Sequence, residues 1–239
     1  MLQNFTLFNQ SLNEIKQTRA LINTLNAHSF NTVSTDENFR NAIMGSDVLL
    51  PDGISVVLAM RLLTGKRLKK IAGVDLFHYE MNRINIMGGK CFFLGSSENT
   101  LQLIHRKATK EYPEIILASY SPPYKPEFTE DDSKLMIDAV NDFEPDVLFV
   151  GMTAPKQEKW AYQHFSKLNV GHVCCIGAVF DFYAGTVKRS PQWMITIGLE
   201  WLYRLIKEPK RMWKRYLIGN IKFIFLIIQE KIMLKKSEQ

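Results

Sequence analysis

Several polar side chains in this 239-residue chain stand where an apolar run gives way to a turn, and these are the places where it could do chemistry. The clearest is Asp52, in the stretch LLPDGISVV at 49–57. A lone carboxylate at the end of a strand-like run could take a proton from a substrate hydroxyl as a general base. The same Pro-Asp-Gly triplet is also turn chemistry, with Pro fixing φ and Gly allowing positive φ. A second stretch, GMTAPKQE at 151–158, reads as a strand exit, a tight loop and a helix start with Thr153 as its expected cap. The N–H groups of a helix start favour an anion, and Lys156 and Gln157 add donors. The plainer reading is a capped helix with surface polar residues. Asp181, in GAVFDFYAG at 177–185, and the Thr24-Leu25-Asn26 triplet are open to the same two readings, working group or turn. Histidines 28, 78, 105, 164 and 172 show no triad or metal-ligand spacing and read as structural.

The elements that must position these residues follow from periodicity. Short apolar runs alternate with longer stretches of helical period, the pattern of a Rossmann-like α/β fold with a mainly parallel sheet flanked by helices. Strands are predicted at Val48–Leu50, Cys91–Leu94, Ile115–Ser119, Asp146–Val150 and Val173–Ile176, and helices at Asn99–Tyr112, Asp131–Phe143 and Lys156–Leu168. Ligands of open α/β sheets bind beyond the carboxyl ends of the strands, where Asp52, Ser96, Thr153 and Asp181 would lie. Neither the glycine-rich dinucleotide fingerprint nor the P-loop occurs, which argues against a nicotinamide dehydrogenase and an ATPase. An Asp-x-Asp pair of the kind that holds a metal-bound nucleotide diphosphate is also missing; Asp142-Phe143-Glu144 reads as a solvated helix end.

Apolar residues make up 46% of the chain and charged residues 23%, as in ordinary globular proteins. The net charge of +6 is uneven. From Thr186 to Gln239 twelve Lys and Arg face four Asp and Glu, a surplus of eight, so the remainder is slightly acidic. A basic tail calls for an anionic partner at one end. An amphipathic helix is predicted through Gly198–Arg204, ending before Pro209, and Pro209 can open a second one. On that second helix Arg211, Lys214, Arg215 and Lys222 fall within about 100° at 3.6 residues per turn, and Leu217, Ile221, Ile224, Phe225, Ile228 and Ile232 recur at helical spacing. The longest unbroken apolar run there is Phe223–Ile228, far short of the roughly 20 residues that span a bilayer. The tail is therefore expected to lie on a membrane surface or pack on the sheet, not to span. Met1–Lys16 carries no basic segment followed by an apolar run, so no signal peptide is expected, and Cys91, Cys174 and Cys175 read as buried thiols in a reducing cytosol.

Taken together and in order, TLNA at 24–27, LPDGISVV at 50–57, KKIAGVDL at 69–76, PDVLFVGMTAPKQEKW at 145–160, IGAVFDFYAG at 176–185 and RSPQWMITIGLEWLYRLIKEPKRMWKRY at 189–216 resemble the WecG/TagA/CpsF family of bacterial glycosyltransferases, glycosyltransferase family 26. The likeness runs from about Ile22 to Tyr216. It implies a catalytic domain over 1–190 and a C-terminal helical membrane-binding appendage over 191–239. It also implies inverting, metal-independent transfer of a sugar from a UDP-sugar to a saccharide on undecaprenyl diphosphate, at the cytoplasmic face of the plasma membrane. The products of such proteins are teichoic acid, common antigen, capsule or exopolysaccharide, and the sugars moved are N-acetylmannosamine, its uronic acid or glucose. No cofactor and no metal are expected.

Residue by residue, the resemblance makes Asp52 the base and places Thr24, Asn26 and Gln157 in the pocket. Arg204, Arg211, Lys214 and Arg215 become cations set against the diphosphate. Lys70 stands where the family has arginine, and Thr153 where it has glycine in the loop before PKQE; charge survives the first change, the bidentate fork does not. Lys70 and Asp181 complete the set of expected substrate contacts. The chemistry agrees: an inverting transfer needs one base, and a departing UDP needs positive charge, here from Lys, Arg and backbone N–H groups. Two other readings stand beside it. The tail could bind nucleic acid, although the helical spacing of Trp201, Tyr203, Trp213 and Tyr216 suits packing or a membrane interface better, so nucleic acid is not expected as a partner. The chain could also be a non-catalytic member of a polysaccharide-assembly complex. Donor sugar, acceptor saccharide and oligomeric state, a homo-oligomer included, are not readable from these residues.

Overall fold

Runs buried on both faces become parallel strands when helices cover both sides of the sheet; six runs pair that way here, the edge run at Ile116–Tyr120 being only partly buried. In the computed structural model, which describes residues 1–237, they are β1 (Ala20–Leu25), β2 (Val48–Pro51), β3 (Lys90–Gly95), β4 (Ile116–Tyr120), β5 (Val147–Gly151) and β6 (His172–Cys175). All pair in parallel in the order β2-β1-β6-β5-β3-β4. Five strands are those predicted, shifted by a residue at one end or both. The sixth, β1, was not predicted although it sits inside the sheet. Its fully buried Asn23 interrupts the apolar pattern, and the Nδ2 amide of that residue is satisfied only by donating to Ser46 Oγ at 2.8 Å.

The connecting helices are α1 (Ala27–Val33), α2 (Glu37–Met44), α3 (Ile54–Thr64), α4 (Gly73–Met87), α5 (Glu98–Glu111), α6 (Glu130–Phe143), α7 (Lys156–His164) and α8 (Val179–Ala184). Alternate strand residues face opposite ways, so two cores form. Ile22, Phe93, Phe149 and Cys174 pack under Phe77 of α4, Ile104 of α5 and Phe180 of α8. Leu21, Phe92, Leu148 and Val173 pack under Met136 of α6 and Trp160 of α7.

The tail forms α9 (Gln192–Thr196), α10 (Glu200–Lys207), α11 (Pro209–Trp213) and α12 (Gly219–Ser237). Residues 238–239 of the expected appendage lie outside the described residues. The uninterrupted helix expected from Pro209 is broken by a π turn at Lys214–Ile218. A π turn inserts residues into the 3.6 period, so the angular count that put Arg211 and Lys222 on one stripe does not carry through it. One face of α12 joins a third core with α1, α2 and α3. Phe223 stacks edge-on to Phe30 at 5.5 Å, and Ile227 packs with Val56 and Met60. Asn31 Nδ2 donates to Gly219 O at 2.6 Å, and the buried Glu230 carboxylate accepts from the backbone N–H of Leu2 at 2.8 Å. Among the described residues no helix is long and apolar enough to cross a membrane.

Candidate functional site

Strand register assembles the site. Thr24 pairs with Leu50 and Leu25 with Pro51, and Asp52 N–H donates to Leu25 O at 2.9 Å, so Asn26 and Asp52 leave the sheet side by side. At the other side Gly95 pairs with Gly151. Gly95 has φ +115°, and a Cβ there would lie 2.6 Å from Gly151 O; a Cβ on Gly151 would meet the Phe180 ring at 2.3 Å. Only glycine lets these strand exits come that close.

Beyond this edge opens a cleft of about 1780 Å³. The body contributes Thr24, Asn26, Asp52, Lys70, Gln157 and Asp181 to its lining; the tail contributes Arg204, Arg211, Lys214 and Arg215. Residues up to 204 positions apart in sequence, from Thr24 to Ile228, thus share one space.

Asp52 is half-buried and precedes Gly53, whose φ of +104° starts α3. The Pro-Asp-Gly triplet is therefore a strand-to-helix exit and not a hairpin turn. Burial raises the Asp52 carboxyl to about 6, and the like charge of Glu200 adds to this, while Lys70 and Arg215 pull the other way. No hydrogen bond to its carboxylate occurs among the described residues. Lys70 is held alongside by Ile71 N–H, which donates to Pro51 O at 3.0 Å.

Asn26 caps α1: its Oδ1 accepts from the N–H groups of His28 and Ser29, both at 3.0 Å. That commits the oxygen and leaves the amide N–H₂ for a ligand. Gln157 is buried and ties the 151–157 loop together. Its Oε1 accepts from Met152 N–H at 3.1 Å, and its Nε2 donates to Glu158 Oε1 at 2.9 Å. The expected Thr153 cap is not formed. Pro155 occupies the N-cap position, and the Lys156 N–H that a Thr153 side chain could have served donates to the Thr153 carbonyl oxygen at 3.0 Å. Asp181 stands in the first turn of α8; burial raises its carboxyl and Arg211 lowers it.

The tail brings cations with unmet bonding capacity. Arg204 lies over the Phe182 ring at 5.5 Å, and Arg215 sits in the π turn. The Nε atoms of Arg204, Arg215 and also Arg189 are buried without a hydrogen-bond partner. Arg189 Nε is 3.8 Å from Glu200 Oε1, an ion-pair distance too long for a hydrogen bond. Arg211 is paired with Glu208 at 2.8 Å. Buried guanidinium N–H groups are rarely left unmet, and three at one cleft wall make a receptor for an anion such as a phosphate.

Some cleft residues were not singled out by the sequence. Glu158 is buried, its Oε2 has no partner, and burial raises it to about 7. Its neighbour Gln157 was the only signal that could have pointed to it. His28, read as structural, faces the same cleft; burial and then the charge of Arg215 lower its ring to about 4, so it is neutral there. Nothing in its spacing marks it. Arg189 and Glu200 were visible only as parts of a longer segment. Among the described residues no three of His, Cys, Asp and Glu converge as a metal-ligand set.

A profile of the glycosyl transferase WecG/TagA/CpsF family matches residues 3–237. The chain is 33% identical to the N-acetylglucosaminyldiphosphoundecaprenol N-acetyl-beta-D-mannosaminyltransferase of Bacillus subtilis strain 168, over 89% of this chain and 80% of that protein. The protein of the same name from Bacillus spizizenii is 30% identical over 75% and 67%, and that of Staphylococcus aureus strain MW2 is 26% identical over 100% and 90%.

Proposed function

The chain belongs to the WecG/TagA/CpsF glycosyltransferase family, and on that premise we propose that it transfers N-acetylmannosamine from its UDP derivative to N-acetylglucosamine carried on undecaprenyl diphosphate. It is a hexosyltransferase by family. The donor and acceptor are inferred from the relatives' names and from the cleft. The observation that carries the reading is the shared cleft, in which the unbonded Asp52 carboxylate and the tail cations line one space.

In the proposed reaction the acceptor hydroxyl gives its proton to Asp52 as its oxygen attacks the anomeric carbon. The bond from that carbon to the diphosphate breaks on the opposite side, and the electron pair leaves with UDP, which inverts the configuration. Lys70 and the loop held by Gln157 face the charge that develops on the leaving group, so fixed cations and N–H groups supply the stabilisation that a divalent ion supplies elsewhere. Arg204, Arg211, Lys214 and Arg215 hold the acceptor diphosphate. The exposed apolar side of α10–α12, with its lysines, rests on the cytoplasmic face of an anionic membrane, where basic residues each add about 1 kcal/mol of attraction.

The test is to incubate the purified protein with UDP-N-acetylmannosamine, UDP-glucose and UDP-N-acetylmannosaminuronic acid, each with a short-chain prenyl-diphosphate N-acetylglucosamine, and to read products by mass. Formation of the N-acetylmannosaminyl disaccharide supports the proposal. Product from another donor alone moves the sugar assignment; no product from any donor overturns the reading.

A further inference from the structure

The cleft changes chemistry along its length. Asp52 and Arg215 feel each other's charge, which places the start of α3 and the π turn before α12 at the same end of the cleft. From there both helices run on as packed neighbours, sharing the core of Val56, Met60, Phe223 and Ile227. Between them lies an open apolar trough that is part of the same cleft. Ala59 and Phe223 form its floor and are buried; its walls are Leu58 and Leu62 from α3 and Ile224 and Ile228 from α12, exposed by 55%, 54%, 56% and 50%.

We infer that this trough is the subsite for the first isoprene units of the acceptor's polyprenyl chain. The inference rests on the acceptor class proposed above and adds a place for its tail. The order of chemistry along the cleft is the argument. Base and polar groups stand at the sheet edge, cations follow on α10–α11 and the π turn, and apolar walls come last. A lipid-linked saccharide carries the same sequence of parts: sugar, diphosphate, hydrocarbon. A diphosphate held by Arg204 and Arg215 directs the adjoining carbon chain into the trough. Four half-exposed aliphatic side chains facing a continuous cleft are otherwise an unused apolar surface. Ile54, one turn before Leu58, lines the same cleft, and from Ile54 to Leu62 the α3 wall runs about 12 Å at 1.5 Å per residue. At about 5 Å for the four chain bonds of an extended isoprene unit, that accommodates two to three units.

The third face of α12 explains where the rest of the chain goes. Phe223, Ile227 and Glu230 face the core, Ile224 and Ile228 face the trough, and Ile221, Phe225 and Ile232 lie further round, exposed and outside the cleft. At 100° per residue these faces adjoin one another. A chain leaving the trough therefore passes directly onto an apolar outer surface.

The experiment uses the full chain without membrane or detergent. Acceptors are N-acetylglucosamine diphosphates bearing one, two, three or four isoprene units. Wild-type kcat/KM is expected to rise about tenfold per unit for the first two to three units and then level off, since each unit removes a few methylenes from water. Leu58→Asn and Ile228→Asn change exposed side chains, and each should flatten that rise, while Met233→Asn, exposed and outside the cleft, should leave it intact. Circular dichroism and urea midpoints confirm that the variants fold. A rise with chain length that Leu58→Asn and Ile228→Asn leave untouched overturns the inference. In separate runs, a loss confined to co-sedimentation with phosphatidylglycerol vesicles, which would make the face a bilayer contact only, overturns it too, as does a dimer in analytical sedimentation that Leu58→Asn dissolves. If no acceptor of any length is used, the functional reading fails instead; if all lengths are used equally, only the trough assignment falls.

Discussion

Replacing Asp52 by asparagine separates two consequences of one burial. The carboxyl is raised from 3.8 to about 6, chiefly because the strand exit and the wall of tail residues withhold water from its charged form. About two pKa units correspond to about 3 kcal/mol by which folding disfavours the ionised group relative to the unfolded chain. Solvent entering from the cleft lowers that to about 1–2 kcal/mol. The sign follows from proton uptake: the folded state binds more protons between pH 4 and 6, so stability falls as pH rises through that window and stays at the lower level above it. Asp52→Asn cannot ionise. At pH 7.5 the variant should therefore unfold at a higher urea midpoint than the wild type, with unchanged m value, and the difference should vanish below pH 4. Its transfer rate should fall by 10²–10⁴, the usual contribution of a general base, while UDP binding by calorimetry stays near wild type. The wild-type kcat/KM should in turn lose activity as pH falls through about 6. An Asp52→Asn variant that keeps full activity, or is destabilised at pH 7.5, would refute both the assignment of the base and the account of its environment.

The other outcomes concern the groups around that carboxylate. Arg215→Ala should raise KM for the prenyl-diphosphate acceptor tenfold or more and move the acidic limb of the pH profile upward, because a charge that favours ionised Asp52 is gone; steady-state kinetics from pH 5 to 8 read both. Glu158→Gln removes a buried carboxyl raised from 4.5 to about 7, so it should be more stable than wild type at pH 8 by up to about 3 kcal/mol and equal to it below pH 4.5. Glu80→Ala, far from the cleft, leaves buried His172 and Arg83 without the carboxylate they contact at 2.8 and 2.7 Å, and should cost about 3–5 kcal/mol in urea unfolding.

What the amino-acid order determined was the local grammar. Apolar runs of strand length, separated by helical periods, are enough to specify a parallel sheet, because only helices on both faces bury such runs. Five strands were legible on that ground. Asp52, Gln157 and the tail cations were legible as residue types at strand exits or on a basic tail. β1 was not, because a buried polar residue such as Asn23 is indistinguishable in sequence from an exposed one; only its bond to Ser46 makes the strand interior tenable. The π turn was hidden too, because nothing in the residue order of Lys214–Ile218 sets it apart from a continued helix.

The cleft itself belongs wholly to tertiary structure. Sequence spacing says nothing about whether Arg215 lies near Asp52, since 163 positions separate them. That proximity exists because Phe223 and Ile227 bury against α1 and α3, which swings the cationic segment over the sheet edge. His28 owes part of its lowered proton affinity to the same closure, through the charge of Arg215 that adds to its burial. Desolvation depends on what covers a group from every side, and neighbours along the chain supply only part of that cover.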